Sequence, residues 1–279
     1  MISRNCVLAS ILVAAAASAA SATVITAWNF ENDAVAVNNS PAPSTGTGTA
    51  TPIGMNIYAT PNVGVTTADV LVGKSSDTGA NTLANTTNTW RVRAQAGSSG
   101  AANGWSSLAP IGTQGAEFAA STAGYSSISV SFDWYSTTQG EANLQLQYTT
   151  DGVNWANAAI SIGANAGLAS LTNSTSSNTV SGSYISDNLL ANGSAAGQDW
   201  FQGLTASFPA AAANNPNFAF ELVNASTGAD CVSTQGTALN NSSGNWRFDN
   251  IVISGTSVPT PSSIALIGVA GLVGIRRRR

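Results

Sequence analysis

The chain contains no histidine. This absence excludes Ser-His-Asp and Cys-His nucleophile systems, zinc sites held by imidazole, and acid–base catalysis by an imidazole ring. Hydrolysis by a pair of carboxylates needs no histidine and stays open.

Charged residues and cysteines are also scarce. Charged residues make up 8% of the chain, against about 25% in a typical globular protein. Serine, threonine, asparagine and glycine supply the polar surface instead. Of the two cysteines, Cys6 lies in an N-terminal segment that we expect to be removed. Cys231 then has no partner for an internal disulfide, and an intermolecular bridge stays open.

The first 22 residues have the pattern of a secretory signal peptide. Arg4 precedes an apolar stretch over residues 6–17, and small residues follow. Ala20 and Ala22 fit an A-x-A cleavage site before Thr23. We therefore predict an N-terminal signal helix over residues 1–22 and export through the secretion machinery. A buried N-terminal helix, the alternative, gives no reason for a small-residue cleavage site.

The C-terminus carries a short apolar segment followed by arginines. Residues 264–275 are 12 uncharged residues, which as a helix extend only about 18 Å against a hydrocarbon core of about 30 Å. The pattern predicts a short hydrophobic helix with the arginines on the cytoplasmic side. A basic tail that binds nucleic acid is the alternative, and it needs no apolar segment before it.

These last residues resemble the PEP-CTERM sorting signal, which joins a Pro-Glu-Pro-like motif, a short transmembrane stretch and an arginine cluster. Thr260 stands where the family most often has glutamate. The resemblance implies a transient inner-membrane intermediate, recognition by an exosortase-type membrane protease, and delivery to the cell surface or extracellular matrix of exopolysaccharide-producing bacteria. The residues that carry the resemblance are Val258, Pro259, Thr260, Pro261, Arg276, Arg277, Arg278 and Arg279.

The chain divides into a signal peptide (1–22), one domain (23–254), a linker with the Pro-Thr-Pro motif (255–261) and the apolar segment with its arginines (262–279). Removal of both ends takes away five of the nine basic residues and none of the 13 acidic ones. Four bases against 13 acids leave the remaining chain with a net charge of −9. This charge disfavours nucleic acid and anionic lipid as partners.

Alternating apolar and polar residues predict an all-β domain, a two-sheet antiparallel sandwich of jelly-roll type. Residues 38–54 are rich in proline, threonine and glycine and are predicted to be a loop. The predicted strands cover residues 24–30, 89–94, 116–120, 127–135, 143–148, 200–208, 217–223 and 246–254.

Two acids close to the ends of this domain are candidate metal ligands. Glu31 follows the first predicted strand, and Asp249 lies in the last, where the apolar parity switches between Phe248 and Ile251. Either this strand is buried on both faces, or a bulge lies near Asp249.

These elements resemble the first and last strands of jelly-roll carbohydrate-binding modules. The resemblance implies that the two strands lie together and that Glu31 and Asp249 hold a structural Ca²⁺, which prefers oxygen ligands. The alternative is that Asp249 pairs with Arg247, Arg91 or Arg93, or accepts hydrogen bonds from backbone amides.

Tryptophans are the candidates for a sugar-binding platform. Trp28, Trp134 and Trp246 share the parity of core residues, which leaves Trp90, Trp105, Trp155 and Trp200. Core packing is the alternative for each of them. Asp151-Gly152 predicts a tight hairpin that leads to Trp155.

Three functions are compatible with these features. We expect a non-enzymatic surface or matrix protein with a structural or adhesive role. The first alternative is a module that binds exopolysaccharide. The second is a glycoside hydrolase that uses acids such as Asp133, Glu141 or Glu221, although nothing in the predicted strands places two of these three in one cleft.

Overall fold

The structure is a computed structural model that describes residues 21–31, 39–54, 67–72, 88–93, 105–137, 139–162, 179–181, 184–186, 200–234, 236, 239–241 and 244–259. The predicted signal helix and C-terminal helix lie outside these ranges, as do Ala20, Thr260, Pro261 and the four terminal arginines. Within the described ranges, no helix has the length and apolarity that crossing a membrane requires.

The regular secondary structure of the described residues consists of strands, apart from short 3-10 helices at Ala210–Ala212 and Gly228–Asp230. In chain order the strands are β1 (Ala22–Trp28), β2 (Thr49–Ile53), β3 (Thr67–Val72), β4 (Asn88–Arg93), β5 (Trp105–Ser106), β6 (Gly115–Ala119), β7 (Tyr125–Ser136), β8 (Asn143–Thr149), β9 (Ala156–Asn157), β10 (Ser161–Ile162), β11 (Thr179–Ser181), β12 (Tyr184–Ser186), β13 (Phe201–Ser207), β14 (Ala219–Asn224), β15 (Asn240–Asn241) and β16 (Asn245–Ser257).

These strands form two seven-stranded antiparallel sheets and a small β5–β15 pair. The first sheet has the order β10-β13-β7-β16-β4-β3, with β1 also paired to β16. The second has the order β11-β12-β8-β14-β6-β2, with β9 paired to β8. The predicted all-β architecture of two antiparallel sheets is confirmed, and so is the expected contact between the first and last strands.

Aromatic residues from both sheets meet in the core. The ring of Phe118 in the second sheet lies 5.5–5.9 Å, centroid to centroid, from Trp28, Trp90 and Phe248 of the first sheet. Edge-to-face pairs of this kind stabilise a fold beyond their buried area. Because core residues alternate along each strand, every second side chain of β6, β7, β14 and β16 points to an outer face of the sandwich.

The last strand contains a bulge near Asp249, one of the two alternatives that its parity switch left open. The pairing of β16 with β7 shifts register between Asp249 and Val252, and Asn250 has a φ of 48°. A second shift lies between Phe201 and Leu204 in β13, where Gly203 has a φ of 63°. The prediction of a loop over residues 38–54 is wrong at β2, which pairs with β6.

Candidate ligand-binding groove

A row of polar residues crosses the outer face of the second sheet. Register pairs join Thr51 to Glu117, Glu117 to Glu221, Glu221 to Gln147, and Gln147 to Asn157. This polar row spans β2, β6, β14, β8 and β9, and its members alternate with core residues such as Phe118 and Phe220. The row therefore presents hydrogen-bonding groups from five strands along one line.

A row of small residues runs beside the polar row. Thr49, Ala119, Ala219 and Thr149 occupy neighbouring positions on the same face. Their small size leaves space above the sheet, and this space forms a groove of about 460 Å³. Its lining residues are Thr47, Gly48, Thr49, Glu117, Ala119, Ala120, Ser121, Thr149, Asp151, Gly152, Trp155, Pro216, Asn217, Phe218 and Ala219.

The β8–β9 hairpin holds Trp155 at the edge of this groove. Asp151 accepts hydrogen bonds from the backbone amides of Val153 (2.8 Å) and Asn154 (2.7 Å), and Thr149 accepts one from Gly152 (2.9 Å). Hydrogen bonds from the backbone and side chain of Asn154 hold the pKa of Asp151 well below its usual range, and the backbone amide of Val153 contributes a smaller effect in the same direction. The hairpin is therefore pre-formed, and it leaves Trp155 half-buried.

Glu117 and Glu221 stand directly opposite each other on the regular β6–β14 ladder. Glu221 is only 4% exposed. Burial, and then repulsion from Glu117, raise the pKa of Glu221 to about 8, and burial raises the pKa of Glu117. Because an ionised carboxylate loses its hydration here, the pair holds a proton more firmly than ordinary glutamates do.

The Glu221 carboxyl also lacks hydrogen-bond donors. Among the described residues, no donor contributes to its pKa. Gln147, its neighbour in the polar row, donates its side-chain amide to Asn157 at 3.0 Å, and Gln145 donates to the same oxygen. The raised pKa of Glu221 therefore comes from its burial and from the neighbouring Glu117.

Three of the four candidate platform tryptophans prove to be buried, and their prediction as a sugar platform is wrong. Trp90 packs against Phe118, Trp105 against Trp246 at 4.5 Å between ring centroids, and Trp200 against Tyr135 at 5.5 Å. All three are at most 1% exposed. Of the four, Trp155 alone has an accessible face.

The two candidate calcium ligands each contact a backbone amide. Glu31 accepts a hydrogen bond from the Asn88 amide at 2.7 Å, and the buried Asp249 accepts one from the Asn250 amide at 2.8 Å. Within the described ranges, no three His, Cys, Asp or Glu side chains are grouped to hold a metal ion. The backbone-amide alternative for Asp249 is therefore confirmed, whereas a structural Ca²⁺ stays a prediction.

Asp133 lies on the outer face of the first sheet, directly opposite Asp249. Its carboxylate accepts hydrogen bonds from the Gly203 amide at 2.6 Å and from the Asn250 side chain at 3.1 Å. The neighbouring Arg247 lies over the Tyr135 ring, 4.8 Å from its centroid. These contacts make Asp133 part of a closed, hydrogen-bonded surface.

Glu141 is fully buried in a polar network at the end of β8. Its carboxyl accepts hydrogen bonds from Ser226 (2.5 Å), the Cys231 thiol (2.9 Å) and the Asn143 amide (3.3 Å). Burial raises the pKa of Glu141 to about 7 against the opposing effect of these donors. Burial and the adjacent Glu141 also raise the pKa of the Cys231 thiol, so the free cysteine is held in its unreactive form.

The three acids weighed for hydrolysis therefore lie apart: Asp133 and Glu221 are on the outer faces of different sheets, and Glu141 is buried. Sequence reasoning missed Glu117, the acid that the structure places beside Glu221. A second cavity, of about 500 Å³ near Asn143 and Ser226, has no aromatic residue among its described lining.

Both ends of the described chain meet on β16. Ala22 and Thr23, which flank the predicted cleavage point, lie in β1 opposite Thr256 and Gly255. Val258 is exposed just after β16, and Pro259 is the last described residue. No protein-family model matches this chain, and no curated protein matches it significantly.

Proposed function

We propose that this protein is an exported, non-enzymatic surface or matrix protein that binds polysaccharide in the groove of the second sheet. The observation that carries the proposal is the half-buried Trp155 at the edge of a groove that also contains Glu117 of the polar row. A flat aromatic ring packs on the apolar face of a sugar, and side-chain carboxyls and amides bind its hydroxyls.

The size and build of the groove support this proposal. Its volume of about 460 Å³ falls within the usual range for small-molecule and cofactor sites, about 300–1,000 Å³. Part of its lining lies on paired strands, which contribute Thr49, Glu117 and Ala219, and Trp155 lies in a hydrogen-bonded hairpin, so these residues need little ordering on binding. A jelly-roll-like sandwich is consistent with such a role.

Export, exosortase recognition, transient membrane insertion and delivery to the cell surface belong to the same proposal. They are supported by the pattern of residues 1–22 and by the motif and arginines of residues 258–279. Replacement of Arg276, Arg277, Arg278 and Arg279 by serine should block processing. If the variant still reached the surface in processed form, the sorting proposal would be wrong.

The binding proposal is tested by titration of the full chain with a panel of polysaccharides. Trp155→Ala should weaken binding about tenfold or more, since loss of an aromatic contact removes on the order of 1.4 kcal/mol. Val153→Ala is the matched control, because Val153 lies in the same hairpin, is 76% exposed and does not line the groove. Equal affinities for the two variants would refute the proposed site.

Hydrolysis of a glycan is a second candidate, which the Glu117–Glu221 pair favours. The two glutamates stand directly opposite each other on neighbouring strands, and retaining glycosidases use two carboxyls about 5–5.5 Å apart. In that role Glu221 would be the acid and Glu117 the nucleophile. Turnover of a bound glycan that Glu221→Gln abolishes would establish this candidate, and binding without turnover would exclude it.

A further inference from the structure

The predicted signal-peptide cleavage point lies inside a strand of the folded domain. Ala22 and Thr23 flank the bond that the A-x-A pattern marks, and both belong to β1. Their partners across the ladder are Thr256 and Gly255, and the pairing continues at Val24. The Ala22–Thr23 bond is therefore part of the β1–β16 ladder and does not lie in a segment ahead of it.

This pairing protects the bond from a peptidase. A peptidase binds its substrate in an extended form and uses the backbone N–H and C=O groups on both sides of the bond that it cuts. Where β1 pairs with β16, backbone groups of these residues are used in the ladder. The bond becomes accessible only when the beginning of β1 leaves β16, so the rate of cleavage follows the population of that open form.

The rest of β1 is held firmly in the domain. Trp28 is fully buried, and its indole donates to the Pro41 carbonyl oxygen at 3.2 Å. Separation of the whole strand would expose this ring to water, which is costly. Opening is therefore confined to the residues before the register irregularity between Val24 and Thr26. It frees only Thr23 and Val24 beyond the bond.

The topology places the partners of this bond at the other end of the domain. β1 pairs with β16, the last strand, and Gly255 and Thr256 lie near the end of β16. Among the described residues, no other strand pairs with Ala22 or Thr23. Because a chain is made and exported from its N-terminus, the bond emerges before the strand that covers it.

We propose that the signal peptide is removed before β1 pairs with β16, and that formation of this ladder ends the accessibility of the Ala22–Thr23 bond. This inference rests on the proposed export and assigns its first cut to the unfolded chain. The cut is a hydrolysis by signal peptidase that consumes one water: Ala22 keeps the carboxylate, and Thr23 becomes the new amino terminus. A precursor that folds with its signal peptide attached remains uncut.

The test measures how fast signal peptidase in detergent micelles cuts the folded full chain, with mass spectrometry to locate the cut. A variant with a flexible glycine–serine spacer of about eight residues between Thr23 and Val24 keeps the A-x-A pattern and moves the bond out of the ladder. We expect this spacer variant to be cut at least about tenfold faster than the parent chain, because its bond needs no opening of β1.

The matched control carries the same spacer between Gly152 and Val153, which are exposed in the β8–β9 hairpin. Its Ala22–Thr23 bond stays in the ladder, so it should be cut as slowly as that of the parent chain. Hydrogen exchange at residues 26–28 establishes that the remainder of β1 is paired in both variants. If the control were cut as fast as the spacer variant, general loosening would explain the cleavage and the proposal would be wrong.

The remaining outcomes separate this inference from the function on which it rests. If the folded parent chain is cut at the Ala22–Thr23 bond as fast as the spacer variant, the cleavage point stands and the proposed order is refuted. If neither chain is cut there, the cleavage point is wrong, the export proposal loses its N-terminal support, and the inference falls with it. Binding of polysaccharide in the groove is independent of both outcomes, and Trp155→Ala tests it separately.

Discussion

The two outer faces of the sandwich each carry a pair of acids directly opposite each other on neighbouring antiparallel strands. On the first sheet the pair is Asp133 and Asp249, and on the second it is Glu117 and Glu221. The aspartates accept backbone amides from Gly203 and Asn250, whereas Glu221 has no described donor. The same cross-strand arrangement thus receives backbone donors on the first sheet, whereas on the second sheet burial and repulsion from Glu117 raise the pKa of Glu221.

Strand irregularity explains this difference. The Gly203 and Asn250 amides that donate to the aspartates both belong to residues with positive φ at register shifts. At such a bulge the backbone amide is not used in strand pairing and can donate to a side chain. The β6–β14 and β14–β8 ladders have no such shift, so their amides are used in pairing. Bulges therefore supply amide donors to the acid pair of the first sheet, whereas the regular ladders of the second sheet use their amides in strand pairing.

The largest effect that we expect from the buried carboxyls is on the pH dependence of the free energy of unfolding. The folded-state pKa values of Glu221 and Glu141 are raised from 4.5 to about 8 and about 7. At these two groups the folded chain then binds more protons than the unfolded chain, so their contribution to stability is greatest below pH 4.5 and decreases as pH rises through these values. We expect each group to lower the free energy of unfolding by on the order of 3 kcal/mol.

Denaturant unfolding across this pH range measures the effect. The variant Glu221→Gln separates the contribution of Glu221, on the second sheet, from that of Glu141. The variant should be more stable than the parent chain at pH values above the pKa of about 8, because the amide carries no charge to desolvate. Glu141→Gln should remove only the part of the slope below about pH 7. A parent profile that is flat over the whole range would contradict the described environment of both carboxyls.

Removal of an acid from the first sheet should have the opposite sign. Asp133→Ala leaves the Gly203 amide and the Asn250 side chain without this acceptor, and we expect a loss of about 3 kcal/mol in the free energy of unfolding. Ser129→Ala, on the same strand and face, is the control and should change stability by less than about 0.5 kcal/mol. A stabilising Asp133→Ala would show that the two acid pairs are alike.

The smallest effect tests the bulge itself. Asn250 has a φ of 48° and donates to Asp133. Asn250→Gly keeps this backbone conformation and loses one side-chain hydrogen bond, so it should cost about 1 kcal/mol. Asn250→Ala should cost about 1 kcal/mol more, because its Cβ disfavours the left-handed region. Equal stabilities of the two variants, measured by denaturant unfolding, would argue against a strained bulge.

Local patterns were enough to predict much of the fold. Alternation in β7 and β8 is evident from the sequence. The parity switch between Phe248 and Ile251 predicted either burial on both faces or a bulge, and the structure has the bulge. The β2 strand was missed because Pro52 and its neighbours have the composition of a loop. An edge strand tolerates proline, since its outer side needs no amide donor.

The candidate site depends on long-range register, which local patterns do not contain. Alternation places Glu117 and Glu221 outward from their strands, and this signal was present in the sequence. That the two face each other follows only from the pairing of β6 with β14. The burial of Trp105 and Trp200 likewise depends on Trp246 and Tyr135, which are distant along the chain.

The most direct test of the groove on the second sheet is hydrogen exchange of the full chain with and without a bound oligosaccharide from a polysaccharide that the chain binds. The structure predicts slower exchange at residues 47–51, 117–121 and 149–155, which form the groove and its hairpin. Residues 133–136 and 245–250, on the first sheet, should exchange at unchanged rates. Protection confined to the first sheet would contradict the assignment of the groove as the ligand site.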